Sequence, residues 1–329
     1  MFRRSFFAFC AASGPFRYVA SDMDGTLLSP SHTLTDYAKE TLRQLTMEKK
    51  AVFMFNTGRM HADVKIVNDN LQTYFKSKND GKTPDVKMFM STSNGAVVHD
   101  AMSGKVLLEN VISPKIAYEL YNDIIPFNET RINCNLNQND IWYCRHNWEE
   151  VLEFHQESQL QFVVCPETAP LAETATPKTI KEGDFSRVVK VFFTCWDRPL
   201  LERLEAYLQD RYKDELFINI SASYCIDIQA KGIHKGRAVQ DIFRHLIKEE
   251  GEEEDTDDVE EEVEKRMKQT IAFGDDLNDV KMLTQVGKGF VMQNANPKLK
   301  ELHSELEVID SNANDGVAKK IREVFDIDD

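Results

Sequence analysis

The sequence predicts an α/β fold: a doubly wound core on a parallel sheet, with an α+β unit inserted between its two halves. Three observations carry that expectation. Short apolar runs closed by small or polar residues stand at 16–21, 51–55 and 87–90 near one end of the chain, and at 270–273 and 289–292 near the other. Runs this short and continuous suit strands buried on both faces. Helical patterns alternate with them, as parallel pairing requires. The middle of the chain has a different rhythm, of hairpins mixed with helices.

Taken in order, the first two runs enclose a helix, N-capped by Thr35, with Ala38, Leu42 and Leu45 on one face. Residues 96–100 and 106–111 flank Ser103-Gly104, a hairpin signal. A helix is expected over 114–125, then a second hairpin from 131–135 and 141–145 around Gln138-Asn139-Asp140. Residues 166–184, rich in Thr, Pro and Lys, read as a surface loop. A strand over 188–194, an amphipathic helix over 199–212 and a strand pair at 216–220 and 224–228 close the middle region. Residues 280–286 and 296–306 read as helices of the second half. The expected organisation is an N-terminal extension of residues 1–15, a discontinuous core of 16–93 and 225–329, and an α+β unit of 94–224.

The bulk numbers exclude several classes of function. A chain of 329 residues is comfortable for two domains. Of the net charge of −15, most lies in residues 249–264, which hold twelve acids and no base. Such a run reads as a solvated, self-repelling loop or a frayed helix end. The rest of the chain is close to balance, so a nucleic-acid partner has no electrostatic support. No stretch approaches the ~18 to 20 apolar residues of a membrane-spanning helix. Six cysteines (Cys10, Cys134, Cys144, Cys165, Cys195, Cys225) form no C-x-x-C pair, which argues against a zinc site or a disulfide framework. Before Asp22 there is no acid, while Arg3, Arg4, Arg17 and an apolar run at 6–12 are present. A cytoplasmic chain is expected, with a mitochondrial-type presequence ending before Phe16 as the alternative.

The strongest chemical signal is Asp22-Met23-Asp24-Gly25-Thr26, directly after the first apolar run. In an open parallel sheet, ligands gather beyond the carboxyl ends of the strands. Two carboxylates at i and i+2 can face one point, one attacking while the other handles a proton, provided their environments differ. Alone, D-x-D-G is common at loop tips. Three further segments each follow an apolar run or open a helix. Thr57-Gly58-Arg59 offers a hydroxyl and N–H groups for phosphate oxygens. Lys235, in Gly232-Ile233-His234-Lys235-Gly236, offers a fixed positive charge, with Lys231 as a nearby competitor. Gly274-Asp275-Asp276-Leu277-Asn278-Asp279 offers acids for a hard cation such as Mg²⁺.

In this set of motifs the chain resembles the haloacid dehalogenase superfamily of phosphatases. It is most similar to the Cof-like branch, whose members carry an α/β cap (type IIB) between the second and third motifs. Besides the segments above, the resemblance includes Ser93-Asn94-Gly95-Ala96, where the cap begins, and Asp315-Gly316-Val317. It implies a Rossmann-like core and a phosphomonoester hydrolase. Asp22 would attack phosphorus to form an aspartyl-phosphate. Asp24 would protonate the leaving oxygen and later deprotonate the attacking water. Mg²⁺ would sit on Asp22, the Asp24 backbone carbonyl and Asp275, supported by Asn278 and Asp279. Thr57 and Lys235 would hold the transferring phosphoryl oxygens, with Gly58, Arg59 and Asn94 as further substrate contacts. The implied substrate is a small phosphorylated metabolite such as a sugar phosphate, with Asn133, Asn135, Asn137 and Arg145 as candidate leaving-group contacts.

Two rivals share these residues. A phosphosugar mutase of the same superfamily would use the same acids and return an isomer rather than free phosphate. A non-catalytic interaction protein would use the acidic run as a docking loop. The second is disfavoured, because all the acids and the lysine that chemistry requires are present.

Overall fold

The computed structural model describes residues 15–123, 131–138, 141–146, 162–164, 185–251 and 256–328. The segment 1–14, and with it the N-terminal extension expected to be a presequence, lies outside the described residues, as does the loop expected at 166–184.

The first half begins with β1 (Tyr18–Ser21), α1 (Asp36–Arg43), β2 (Val52–Asn56), α2 (His61–Ser77) and β3 (Met88–Thr92). Every residue of β1, β2 and β3 is buried, as strands covered on both faces require. Thr35 caps α1 as expected, its side chain accepting from the Ala38 N–H at 3.0 Å. Helix α2 went unread in the sequence. Its buried face is Val64, Asn68, Leu71 and Phe75, and the asparagine breaks the apolar periodicity. Asn68 fits there because its amide donates to the Ala101 carbonyl at 2.7 Å.

The chain continues through β4 (Val97–Asp100), β5 (Val106–Glu109), α3 (Pro114–Asp123), β6 (Asn133–Gln138), β7 (Ile141–Cys144), β8 (Phe162–Val164), β9 (Val188–Thr194), α4 (Arg198–Tyr212), β10 (Leu216–Ala222) and β11 (Cys225–Ala230). Last come α5 (Lys235–Glu250), α6 (Thr256–Lys268), β12 (Thr270–Gly274), α7 (Val280–Gln285), β13 (Lys288–Met292), α8 (Pro297–Leu302), β14 (Glu307–Ile309) and α9 (Gly316–Val324).

Two sheets organise these elements. The first has the order β14-β13-β12-β1-β2-β3-β4-β5, parallel from β14 to β3. The hairpin β4–β5 lies beyond the expected core limit at residue 93, yet it extends this sheet antiparallel and covers the edge of β3. The second sheet has the order β10-β11-β9-β6-β7-β8 and packs one face on α3 and α4. β11 begins at residue 225, the expected resumption of the core, but sits inside this second sheet between β10 and β9. Each sheet has its own apolar cluster. Between the sheets, Met60 packs on the Trp142–Cys144 cluster, Ile233 packs on Ala96, Val97 and Val189, and the Gln229 amide donates to the Ser93 carbonyl.

The acidic run is a correction. Its described residues are helical rather than a loop: α5 continues to Glu250 and closes at Gly251 in the left-handed region, and α6 holds the run from Thr256 on, while 252–255 lie outside the described residues. Val263 and Met267 are buried against the core. Arg244 binds Glu260 at 2.7 Å, and Arg266 binds Glu250 at 2.7 Å and Glu262 at 3.1 Å. Basic partners on two helices therefore offset the repulsion that the run's composition predicts.

Candidate active site

Parallel pairing sets Ser21 beside Phe55 and Phe273, so β1, β2 and β12 end at one rim. The residues that leave those strands, Asp22, Thr57 and Asp275, therefore share a cavity of about 430 Å³. Asp24, Gly25, Gly58, Arg59, Lys235, Asp276 and Asn278 complete its lining. The turn after β1 needs Gly25, at φ +69°, where a Cβ would collide with the Asp275 carboxylate.

Lys235 enters from the first turn of α5, whose N-cap is His234, accepting from the Arg237 N–H at 3.0 Å. The ammonium is buried and lies 2.6 Å from both Asp22 Oδ1 and Asp279 Oδ1. Burial works against that charge, but the two carboxylates outweigh it and hold the ammonium above its usual range. The backbone fixes it too, since the Asn56 amide donates to the Lys235 carbonyl at 2.8 Å. Lys231, the competitor in sequence, donates at the surface to the Lys213 carbonyl.

Asp279 does not border the cavity. Its Oδ2 accepts from the Asp275 and Asp276 N–H groups at 3.0 Å, an approach that the missing side chain of Gly274 permits. Asp275 accepts from the Thr26 hydroxyl at 2.7 Å. Burial first, with the charge of Asp279, pushes its carboxyl up to about 6 despite that hydrogen bond.

The donor set suits a hard divalent ion. Asp22, Asp275 and Asp279 each bring a carboxylate oxygen within 4.8 Å of the others. Lys235 pairs with two of these carboxylates, Asp22 and Asp279, while burial raises the carboxyls of Asp22 and Asp275, so a divalent ion would favour the charge that the site otherwise holds at a cost. With Asp279 occupied by Lys235 and two backbone groups, Asp22 and Asp275 are the side chains placed to hold it.

Asp24 stands in a different environment. Arg59 grips it with Nε at 2.6 Å and Nη2 at 2.5 Å, and the His32 Nδ1 lies 3.0 Å away. Burial pushes the Asp24 carboxyl up, but Arg59 and His32 outweigh burial and hold it below the usual range. Arg59 also binds Asp63 at 3.0 Å. His32, Asn56 and Asp63 escaped sequence reasoning, since none lies in a motif, and Thr26 stood in the first motif without a role; proximity to Asp24 and Arg59 in the chain was the available signal.

Thr57 is buried, its hydroxyl accepting from the Arg59 N–H at 3.1 Å. Asn94, at φ +56°, stands behind Gly58 and accepts from the Asn278 amide at 3.1 Å. The polar residues proposed from the middle region mostly hold their own sheet. Asn133 exchanges hydrogen bonds with the His146 backbone, Asn135 accepts from the Trp142 indole, and Arg145 donates to the Tyr121 carbonyl. Asn137 is buried among them. Among the described residues no helix is long and apolar enough to cross a membrane.

Comparison with known proteins agrees with this geometry. The family described as haloacid dehalogenase-like hydrolase matches residues 19–251 and 255–321. A candidate phosphatase of Haemophilus influenzae is 33% identical over 320 residues, covering 95% of this chain and 98% of its own. The HMP-PP phosphatase of Klebsiella pneumoniae is 27% identical, covering 89% of this chain and 90% of its own. Among solved structures, a HAD subclass IIB sugar phosphatase superposes with a TM-score of 0.64 at 19% identity, over 93% of this chain and 98% of that one. The chain belongs to the haloacid dehalogenase-like hydrolases, as a phosphatase of the Cof-like branch.

Proposed function

We propose that the protein is a Mg²⁺-dependent phosphomonoester hydrolase that acts on a small phosphorylated metabolite through an aspartyl-phosphate on Asp22. The observation that carries the reading is the meeting of Asp22, Asp24, Thr57, Lys235 and Asp275 at one cavity, from four separate segments. Asp22 is the nucleophile because Lys235 holds its carboxylate in place and offsets the charge that otherwise repels a phosphate. Asp24 handles the protons, since its surroundings set it apart from Asp22. The Thr57 hydroxyl and the Lys235 ammonium bind oxygens of the phosphoryl group as it moves. Asp22, the Asp24 carbonyl and Asp275 would hold Mg²⁺, which supplies charge stabilisation to the phosphoryl oxygens. Asp279 and Asn278 brace that set from behind. The second sheet serves as a cap over the cavity, consistent with the Met60 and Gln229 contacts that join it to the site loops.

The substrate class is small phosphoesters, with sugar phosphates first. HMP-PP joins them because a relative over nine-tenths of its length carries that activity in its name. A panel of such phosphoesters, assayed for free phosphate with Asp22→Asn as control, tests the reading. Turnover of at least one member, with loss of ~100-fold or more in the variant, is expected. Isomerised sugar phosphate without free phosphate would reveal a mutase instead, and full activity in Asp22→Asn would end the proposed mechanism.

A further inference from the structure

Arg59 follows Thr57-Gly58 and lines the cavity, which invites the reading of a phosphate ligand. Its contacts tell another story. Nε and Nη2 take the two oxygens of Asp24, and Nη1 takes Asp63 Oδ1 at 3.0 Å. The planar guanidinium is thus committed on both of its edges, and turning it toward a phosphate would strand two carboxylates at once. The backbone under it is equally fixed. The Arg59 N–H donates to the Thr57 hydroxyl, its carbonyl accepts from the Ser93 N–H at 2.8 Å, and Met60 beside it is packed on the second sheet. Asp63 lies in the first turn of the 17-residue α2, so the brace is anchored on a rigid element. Asp24, by contrast, leaves β1 through a turn and has a side chain 39% exposed, held among the described residues by Arg59 and His32.

We infer that Arg59, braced by Asp63, is a positioning residue that aims the Asp24 carboxyl at the leaving oxygen, and not a ligand of the substrate phosphate. The inference rests on the phosphatase reading above, in which Asp24, less often protonated but a stronger acid beside Arg59 and His32, gives its proton to the departing alkoxide as the Asp22–phosphorus bond forms and the phosphorus–oxygen bond breaks. Misplacing an acid by about 1 Å costs on the order of a hundredfold. The cost falls only on leaving groups that need the proton.

The test compares Arg59→Lys and Asp63→Asn with the native enzyme on an alkyl phosphate and on p-nitrophenyl phosphate. The first burst of released alcohol or nitrophenol is followed, which isolates phosphorylation of Asp22. For the alkyl phosphate, Arg59→Lys is expected to lower the burst rate by about ten- to a hundredfold with KM within about threefold. For p-nitrophenyl phosphate, whose leaving group departs without a proton, the burst rate should change by less than about threefold. Asp63→Asn should reproduce the same asymmetry with a smaller amplitude. A KM that rises equally for both substrates would make Arg59 a phosphate ligand and overturn the inference. Equal loss of rate on both substrates with a lowered melting temperature would make it merely structural. An Asp22→Asn control that still gives a burst would instead overturn the phosphatase mechanism itself, a separate outcome.

Discussion

Lys235 is a buried cation held between two carboxylates, and that arrangement explains why the site can carry so much charge. A lysine without partners in this place would lose its proton or drag the helix outward. Asp279 is the partner away from the cavity: it fixes the ammonium on one oxygen and two backbone N–H groups on the other. Asp279→Ala is therefore predicted to lower the stability of the metal-free protein by about 1.5–3 kcal/mol, the range for hydrogen bonds to charged groups. Urea unfolding measures it; a loss below about 0.5 kcal/mol, the range of an ordinary surface change, would show that the buried ion pairs contribute little. At this scale the sequence was readable where a motif concentrated the chemistry. The Arg59 grip on Asp24 was not, because the two residues lie 35 positions apart and only the parallel register of β1 and β2 brings them together.

Helix α5 delivers Lys235 to the cavity, so its N-terminus must hold. His234 caps it through a ring nitrogen that accepts a hydrogen bond, a role open only to the neutral imidazole. Burial, and then the charges of Lys281 and Arg237, lower its pKa to about 4. The folded chain therefore binds fewer protons than the unfolded chain between about 6.5 and about 4, so this group's contribution is present above 6.5 and is lost as pH falls through that window. His234→Asn keeps a capping acceptor that does not titrate. Its stability should decline less than the native protein's between pH 6.5 and 4, and parallel decline in the two proteins would contradict the capping role. The elements that could be read in advance were those with one dominant cause. Continuous apolar runs identified five parallel strands, whereas β14, with only Ile309 buried, offered no such run. The acidic run misled because composition shows the repulsion within it and hides the arginines of α5 and α6 that neutralise it in space.

Across the whole molecule, the two sheets meet, among the described residues, at Met60, Ser93, Gln229 and Ile233, beside the loops that line the cavity. The order of the motifs was enough to read the parallel core and the insertion from sequence. The exact handover was not, because β4–β5 and β11 each pair with the sheet on the other side of the expected boundary. A cation held by Asp22 and Asp275 would offset charge that the folded state otherwise tolerates at a cost. Mg²⁺ is therefore predicted to stabilise the fold, by about 2.7 kcal/mol at a hundred times its Kd. A chelator should abolish turnover and Mg²⁺ restore it, with the melting temperature moving in parallel. Turnover that persists after exhaustive chelation would contradict a metal requirement.

The central claim is that Asp22 carries the phosphoryl group during turnover. Rapid acid quenching of the enzyme with substrate, followed by peptide mass mapping, tests it most directly. One phosphoryl group on the peptide bearing Asp22, discharged by hydroxylamine and absent from Asp22→Asn, is the predicted result. A phosphoryl group on another residue, or steady turnover with no labelled enzyme and undiminished activity in Asp22→Asn, would contradict it.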